Sequence, residues 1–347
     1  MNKLLSIIIP TYNMERYLSK CLESVTATIV PDSVEIIVVN DGSKDNSLSI
    51  ARSFQAKRFD IVEIIDKENG NYGSCINVGL AKAAGKYVKV LDADDWFNTE
   101  GLVTFLSLLK NVDADLILTD YTMVYTNGRK RSAHRNWSVY HEYDETLMAE
   151  SSFLKMQMHA VTYRSALLRD SEYRQTEGIS YTDQEWIFYP MRFVRKIKYF
   201  NIDLYQYLLG REGQTMDVHV IRKCVSHHIL IVKRMLMEYT SWHEGGNGNK
   251  NIYFDYRLLS LTRNIYKLEL LSLDNTFDHK LVKEFDDFIK EHFPDFYRRT
   301  DDCLIHDFFR YRFIRYYHRY GTRPLRWVRM LNAALKKYKV FIKFHHV

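Results

Sequence analysis

Two aspartates one residue apart, Asp92 and Asp94, are the residues of this 347-residue chain whose types and spacing point most directly to chemistry. They follow an apolar run, Tyr87–Leu91, that is typical of a buried β-strand. In extended backbone, residues two apart point the same way, so both carboxylates can reach one divalent cation. Mg²⁺ and Mn²⁺ prefer carboxylates together with phosphate oxygens. The pair therefore predicts a metal-assisted clamp for a diphosphate.

A second triplet of the same form, Asp113-Ala114-Asp115, shows that this spacing alone is weak evidence. The second triplet precedes the apolar run Leu116–Leu118, whereas the first triplet follows a strand. Ligands of open parallel sheets bind beyond the carboxyl ends of the strands. We therefore assign the metal to the first pair and interpret the second pair as a solvated turn.

Two other predicted strands also end in polar residues. The first and second apolar runs of the chain end in PTYN (10–13) and NDGS (40–43). Asn13 can cap the helix that follows, whose free N–H groups would then face the ligand crevice. Asp41 presents an acceptor suited to a nucleobase N–H or a ribose hydroxyl. Together with the aspartate pair, these strand ends predict a nucleotide site.

The elements that must position these motifs follow from the hydrophobic pattern. Within the first 120 residues, short runs rich in Ile and Val alternate with segments of helical periodicity. This alternation predicts a parallel, doubly wound α/β sheet with a Rossmann-type arrangement. The predicted strands are 5–9, 34–39, 61–65, 87–91 and 116–118, and the predicted helices are 14–27, 48–54 and 76–84.

The chain is predicted to contain three regions that pack together. Residues 1–120 form the α/β half that binds the nucleotide, and residues 121–217 form a mixed half that binds the acceptor. Residues 218–347 form a helical C-terminal region. The mixed half has short predicted strands at 160–163, 198–200 and 204–208, and the helical region has predicted helices at 221–239, 255–271 and 281–293.

Composition narrows the class of protein. The 46% hydrophobic and 27% charged residues are typical of an ordinary globular protein. The four cysteines form no C-x-x-C pair, so we expect neither disulfides nor a zinc site, and a reducing cytoplasm is the default. The N-terminal apolar run is too short for a signal peptide, and no run reaches the roughly 18 apolar residues of a membrane span.

Three segments together resemble a known family. IIIPTYN, VVNDGSKDNS and NGNYGSCINVGLAKAAGKYVKVLDADDW occur in this order over about residues 4–100. This set resembles the nucleotide-binding half of family 2 glycosyltransferases, which have the GT-A fold. The resemblance implies inverting transfer from a nucleotide-diphospho-sugar with Mn²⁺ or Mg²⁺. UDP is preferred because Asp41 suits a uracil N–H, while GDP and dTDP stay open. The implied donor contacts are Pro10, Thr11, Tyr12, Asn13, Asp41, Gly70, Asn77, Asp92, Ala93 and Asp94.

The resemblance extends to the acceptor half. GISYTDQEW (178–186) resembles the stretch where the family carries an acidic pair before a helix, with Thr182 in place of the first acid. Inversion needs a base on the acceptor side. Asp183 maps to that role, with Glu185 as the alternative. Asp183 could instead only stabilise the first turn of its helix, and Thr182 or Ser180 could cap that helix.

Three further residues are assigned by analogy or by residue type. GREGQT (210–215) resembles the family loop that closes over the diphosphate, so Arg211 is predicted to pair with phosphates. His219 is a candidate third metal ligand, although a packed or surface histidine is the more common case. His159, before a predicted strand, could line the acceptor pocket. The Q-x-x-R-W signature of processive members is absent, which favours single-sugar addition.

The C-terminal tail is strongly basic. Residues 309–347 contain seven Arg and four Lys and no acid, a charge of +11, whereas the whole chain carries +6. Apolar stripes among these cations favour a helix on an anionic membrane surface at the inner face of the cell membrane. A solvated helical bundle or an oligomer contact is the second interpretation. Nucleic-acid binding is the least favoured, and we expect no nucleic-acid partner. The predicted apolar stripe is Phe313, Ile314, Tyr317, Leu325, Trp327, Val328, Leu331 and Leu335.

The leading hypothesis is a glycosyltransferase that adds a sugar to a saccharide or lipid-linked saccharide in cell-surface polysaccharide synthesis. A glycoside hydrolase also needs two carboxylates, but it would leave the nucleotide loops unexplained. A catalytically weak sugar- or membrane-binding scaffold is the non-enzymatic alternative. The intact aspartate pair and Asp183 argue against it.

Overall fold

The computed structural model describes residues 3–27, 33–135, 137–138, 141–211, 213–214, 218–242, 248–273, 277–306 and 309–345, with the side chains at 218, 219 and 336–345 outside this description. Backbone contacts divide the chain into two compact units. The first contains Met1–Asp217 and Gly248–Tyr253, and the second contains Val218–Asn247 and Phe254–Val347.

The first unit is built on one mixed sheet of ten strands. Neighbouring strands follow the order β3-β2-β1-β4-β9-β6-β10-β5, while β7 pairs with β6 and β8 pairs with β10. The strands are β1 (Leu5–Thr11), β2 (Val34–Asp41), β3 (Val62–Lys67), β4 (Tyr87–Val90), β5 (Trp96–Phe97), β6 (Leu116–Tyr125), β7 (Lys130–Ala133), β8 (Glu142–Tyr143), β9 (Val161–Arg164) and β10 (Ile197–Leu209).

Four parallel strands, β1 to β4, form the half of the sheet that the sequence predicts. Every residue of β1 and of β4 is buried, as expected for strands covered on both faces. Helices return the chain between strands. They are α1 (Leu18–Thr26), α2 (Ser47–Lys57), α3 (Asn71–Lys82) and α4 (Thr99–Leu109).

The mixed half, residues 121–217, departs from the prediction in its strands. The two runs predicted at 198–200 and 204–208 form a single strand, β10, with register shifts around Asp203 that absorb the polar residues between them. β6 continues well past the predicted 116–118, because its polar residues are buried within the sheet. β5, β7 and β8 are too short or too polar to show a strand pattern. The short helices of this half are α5 (Ser151–Leu154), α6 (Ser165–Asp170) and α7 (Asp183–Trp186).

The second unit is helical. It contains α10 (Asn249–Leu270) from Phe254 onward. Its other helices are α8 (Val218–Lys223), α9 (Val225–Trp242), α11 (His279–His292), α12 (Pro294–Thr300), α13 (Phe313–Tyr320) and α14 (Arg326–His345). Tyr266 and His318 lie in its core around the carboxylate of Asp286. The Tyr266 hydroxyl donates to Asp286 at 2.6 Å, and His318 Nε2 lies 3.0 Å from the same carboxylate. Among the residues described, no helix is long and apolar enough to cross a membrane.

Candidate active site

The predicted strand ends meet at one edge of the sheet. β1 lies between β2 and β4, and all three are parallel, so their carboxyl ends are neighbours. The predicted residues on these ends are Pro10 and Thr11 in β1, Tyr12 and Asn13 after it, Asp41 at the end of β2, and Asp92, Ala93 and Asp94 after β4.

The loop after β4 presents three carboxylates. Asp92, Asp94 and the adjacent Asp95 lie in a tight turn, in which the Asp95 N–H donates to the Asp92 carbonyl at 2.9 Å. Asp94 and Asp95 are buried, and Asp92 is half-buried. The Tyr72 hydroxyl, from α3, donates to Asp92 Oδ1 at 2.9 Å. The acidic cluster Asp92, Asp94 and Asp95 is therefore held by the protein and is not a solvated turn.

Asp95 anchors this cluster to β10. The Tyr205 hydroxyl donates to Asp95 Oδ2 at 2.7 Å and accepts from the Asp92 N–H at 3.1 Å. The Leu208 N–H donates to Asp95 Oδ1 at 2.7 Å. Sequence reasoning missed Tyr205 and its neighbour Tyr207. The alternation along β10 was the available signal, because residues two apart on a strand share a face.

The electrostatics of the acidic cluster favour a cation. Burial first, and the charge of Asp94 second, raise the pKa of Asp92 to about 7. Burial and the two neighbouring carboxylates also raise the pKa of Asp95 well above its ordinary value. Carboxylates that repel each other in a dry site are stabilised in their ionised form by a bound divalent ion. The donor set thus fits the hard cation that the sequence predicts.

His159 completes the only group of three possible metal-binding side chains within the described residues. One ligand atom from each of Asp92, Asp95 and His159 lies within 4.8 Å of the others. Burial, and then the charge of Lys89, lower the pKa of His159 to about 3, so its imidazole is neutral and can act as a ligand. The buried Lys89 Nζ donates to the His159 carbonyl at 2.9 Å. The predicted third ligand, His219, lies in α8, and its side chain is outside the described part of the chain.

Asp94 forms an ion pair. Its Oδ2 lies 2.5 Å from Arg211 Nε, and both side chains are about nine-tenths buried. The loop that carries Arg211 is held by Gln214, whose amide accepts from the Gly210 N–H at 3.0 Å and donates to the Leu208 carbonyl at 2.7 Å. Arg211 is therefore at the acidic cluster, where a diphosphate would be bound next to the metal.

The nucleoside side of the site has one exposed ring. Tyr12 is 47% exposed, whereas Thr11 is buried. The expectation that Asn13 caps α1 is wrong, because α1 begins only at Leu18 and has no side-chain cap. Asn13 instead has a positive φ of 53°, and its Oδ1 accepts from the Lys44 N–H at 2.8 Å. This bond ties the loop after β1 to the loop after β2.

Asp41 is held in place through one of its oxygens. Asp41 Oδ1 accepts from Lys67 Nζ at 2.6 Å and from the Gly70 N–H at 2.9 Å. Lys67 also bonds to the Ser74 hydroxyl at 2.9 Å. Asp41 Oδ2, the other oxygen of this carboxylate, stays the candidate acceptor for a base N–H. The orientation is compatible with the predicted nucleoside contact.

Asn77 and Asp183, predicted on opposite sides of the site, lie on α3 and at the start of α7. The Asn77 amide is hydrogen-bonded to Gln175 and Glu177, and its predicted donor contact stays a prediction. Asp183 Oδ2 accepts from the Gln184 amide at 2.8 Å. After burial and nearer charges, the charge of Asp183 also contributes to the raised pKa of Asp92 and of Tyr72. The predicted base therefore lies within electrostatic reach of the acidic cluster.

Two alternatives from the sequence can be placed as well. Thr182 precedes α7, but its side chain makes no cap hydrogen bond. The second aspartate triplet lies at the start of β6, the opposite end from the site. There Asp113 pairs with Arg164 at 2.6 Å, and Asp115 accepts from two backbone N–H groups. Its role is structural, as the strand-end argument predicts.

Comparison with known proteins gives three likenesses. Residues 6–170 match the family model "Glycosyl transferase family 2". The chain is 31% identical over 164 residues to glycosyltransferase GlyA of Streptococcus pneumoniae, which is 47% of this chain and 23% of GlyA. It is 28% identical over 214 residues to the poly(ribitol-phosphate) beta-N-acetylglucosaminyltransferase TarS of Staphylococcus aureus, which is 61% of this chain and 36% of TarS. The chain thus spans about a quarter to a third of the length of these relatives.

A solved structure is similar over nearly the whole chain. Residues 1–349 of Staphylococcus aureus TarS in complex with UDP-GlcNAc superimpose with a TM-score of 0.64, covering 92% of each chain at 20% identity. At this identity the likeness concerns the fold. It confirms the predicted GT-A-like α/β architecture followed by a helical C-terminal region.

Proposed function

We propose that the chain, whose residues 6–170 match the model of glycosyl transferase family 2, transfers a sugar from a nucleotide-diphospho-sugar, with inversion, to a saccharide acceptor. The observation that carries the proposal is the acidic cluster at the carboxyl end of β4, with Asp183 within electrostatic reach of it. A leaving diphosphate and an attacking hydroxyl need these two functions in one site.

Each side of the reaction has its own residues. Asp183 takes the proton of the acceptor hydroxyl as it attacks the anomeric carbon of the sugar. Arg211, already at the acidic cluster, pairs with the diphosphate when the donor binds. Asp92 and Asp94, with His159 as a further ligand, would hold Mn²⁺ or Mg²⁺. When bound, that ion neutralises the charge that develops on the departing diphosphate.

The nucleoside is proposed to be uridine. Asp41 Oδ2 can accept from the N–H of uracil, and the exposed ring of Tyr12 can stack on the base. The TarS complex contains UDP-GlcNAc, which supports a uridine donor without fixing the sugar. Asn13, which is bonded to Lys44, and Gly70, which is bonded to Asp41, are proposed to lie beside the same base.

A binding panel tests this proposal. UDP-, GDP- and dTDP-sugars are titrated calorimetrically with and without Mn²⁺, for the wild type and for Asp94→Ala. We expect uridine compounds to bind best, Mn²⁺ to tighten binding at least about tenfold, and Asp94→Ala to abolish that gain. Metal-independent binding that survives Asp94→Ala would remove the metal clamp from the account. The matched control is Asp115→Ala in the second triplet, which should bind as the wild type does.

We further propose that the acceptor belongs to a cell-surface glycan, free or lipid-linked, and that the enzyme acts in the cytoplasm at the inner face of the membrane. The described cysteines are all free, which fits a reducing compartment. TarS, by its name, transfers N-acetylglucosamine to poly(ribitol-phosphate), which supports a polymeric acceptor. A homo-oligomer is compatible with this arrangement.

The C-terminal tail supports the proposed placement at the membrane, but the residues that can contact lipid differ in part from those predicted. Phe313, Ile314, Tyr317 and Val328, predicted to face the membrane, are instead buried within the helical unit. The apolar residues that stay more than half exposed are Tyr320, Leu325, Trp327 and Met330. They lie among the arginines of α13 and α14. We therefore propose that Leu325 and Trp327 of the predicted stripe, together with Tyr320 and Met330, contact anionic lipid.

A further inference from the structure

A short extended segment, residues 175–178, connects the donor side of the site to the helix that carries Asp183. We call this segment the bridge. It follows α6 and precedes the turn into α7. Its backbone is bonded to α3 on one side and to α7 on the other.

On the α3 side, Asn77 binds the bridge through three hydrogen bonds. Its Nδ2 donates to the Gln175 carbonyl at 2.9 Å and to Glu177 Oε1 at 2.8 Å. Its Oδ1 accepts from the Gln175 N–H at 2.8 Å. Asn77 is 8% exposed, so these bonds are shielded from water. An amide that satisfies both the N–H and the C=O of one residue fixes the position of that backbone.

Close approach to α3 adds to this attachment. A Cβ placed on Gly73 would lie 2.1 Å from the Thr176 carbonyl oxygen, so only glycine allows the bridge to pack here. The Gly178 N–H donates to the Gly70 carbonyl at 2.9 Å. Gly70 and Gly73 therefore hold the bridge in place, in addition to any contact they make with a ligand.

On the α7 side, Glu185 binds the next residue of the bridge. One carboxylate oxygen accepts from the Thr176 N–H and the other from the Thr176 hydroxyl, both at 2.7 Å. Glu185 is fully buried. A buried carboxylate with both oxygens engaged is placed to hold a backbone, and it has little freedom to reach an acceptor hydroxyl.

From the last residue of the bridge to Asp183 the backbone takes two positive φ values. Gly178 has a φ of 79° and Tyr181 a φ of 67°. The second is unfavourable for a bulky side chain and persists only where surrounding contacts impose it. The bonds between Glu185 and Thr176 join the two ends of this turn, and Asn77 holds the end that precedes it.

We propose that Asn77 and Glu185 are positioning residues that fix the carboxylate of Asp183 relative to the donor. The inference rests on the proposed function, because it assigns their role in the same site. It replaces two predicted roles, a donor contact for Asn77 and an alternative base for Glu185. A displacement of about 1 Å at a reacting group can lower the rate about a hundredfold, so the two attachments affect turnover more than donor binding.

The experiment compares matched substitutions in the full chain. Glu185→Gln keeps both hydrogen bonds, because its Oε1 accepts from the Thr176 N–H and its Nε2 donates to the hydroxyl. Glu185→Ala removes both. Asn77→Asp is nearly isosteric but replaces two donated hydrogen bonds by repulsion. Glu100→Gln and Asn111→Asp, both at exposed or half-buried positions away from the site, control for the change of charge.

Two measurements are made on each variant. The first is hydrolysis or transfer of the best donor from the binding panel, with donor affinity and the pH profile of kcat. The second is amide hydrogen exchange at Gln175, Thr176 and Gly178, which needs no activity. We expect Glu185→Ala and Asn77→Asp to lower kcat about 10- to 100-fold, to keep donor Kd within about threefold, and to speed exchange at the bridge. Glu185→Gln should retain most of kcat and the wild-type pH profile.

Three results would overturn the inference. Loss of kcat in Glu185→Gln as complete as in Asp183→Asn would make Glu185 the base. A rise in donor Kd in Asn77→Asp with unchanged kcat would make Asn77 a donor ligand. Unchanged hydrogen exchange at the bridge in Glu185→Ala and Asn77→Asp would show that these two side chains do not hold the bridge. If the wild type binds no nucleotide sugar, the proposed function fails, while the exchange data still decide whether the bridge is held as described.

Discussion

Replacing Asp92 with Asn should stabilise the metal-free protein at neutral and alkaline pH while destroying donor binding. In the folded protein, burial and the charge of Asp94 raise the pKa of Asp92 from 3.8 to about 7. One pKa unit corresponds to about 1.36 kcal/mol. The ionised carboxylate therefore costs the folded state up to about 4 kcal/mol, an upper bound because its neighbours also take up protons.

The direction with pH follows from linkage. Because the folded pKa lies above the unfolded value, the favourable contribution of Asp92 is complete below about pH 4 and is lost as pH rises through about 7. Asn does not titrate, and its amide oxygen can still accept from the Tyr72 hydroxyl. Between pH 5 and pH 8 the wild type should lose about 1 to 3 kcal/mol of unfolding free energy relative to Asp92→Asn.

Urea unfolding in EDTA at pH 5 and pH 8 measures this difference. Asp113→Asn in the second triplet is the control, because Arg164 lowers the pKa of Asp113, and no gain at pH 8 is expected. If Asp92→Asn were no more stable than the wild type at pH 8, the electrostatic strain assigned to the acidic cluster would be wrong.

Three other substitutions test separate contacts. Arg211→Gln frees Asp94, so it should tighten Mn²⁺ binding about three- to tenfold in the absence of nucleotide and weaken nucleotide binding about tenfold. If calorimetry shows that both affinities fall, the role assigned to the ion pair is wrong. Tyr205→Phe should lower the free energy of unfolding by about 1 to 3 kcal/mol, because a buried carboxylate loses its donor, and an unchanged urea midpoint would refute this. Trp327→Ala should reduce flotation of the full chain with anionic vesicles, whereas Phe59→Ala, also an exposed aromatic, should not; equal flotation of both variants would remove the tail contact.

The parallel half of the sheet was predictable because its strands are covered on both faces. Such strands are continuous apolar runs, and the runs predicted for β1 to β4 match the observed strands to within about two residues. β6 and β10 were predicted only in part, since each contains polar residues that the sheet buries, including Asp120 and Gln206. Their burial depends on partners distant in sequence, such as the Tyr199 hydroxyl that donates to Asp120 at 2.8 Å.

The site shows the same division. Strand-end position was enough to select Asp92 and Asp94 over the second triplet, because sheet geometry is regular. Tyr205 and His159 were missed or left without a firm role, because what brings them to the cluster is the packing of β9 and β10 beside β4 and β6. Asp95 adjoins Asp94 in sequence, but its anchoring role depends on partners in β10. The exposed face of the tail was predicted only in part, for a related reason. Its apolar residues have helical spacing, and spacing cannot distinguish a face that packs inside the protein, as at Phe313, from one that meets a membrane.

The most direct test of the account compares donor affinity and sugar transfer in the wild type and in Asp183→Asn. The proposed donor site is the acidic cluster and the proposed base lies on α7, so donor affinity and sugar transfer should respond differently to this substitution. Donor Kd in the presence of Mn²⁺ should stay within about threefold, while turnover should fall at least about a thousandfold, at the upper range of general-base catalysis. Turnover that persists in Asp183→Asn, or that is lost together with donor binding, would contradict the division of the site on which the proposed function rests.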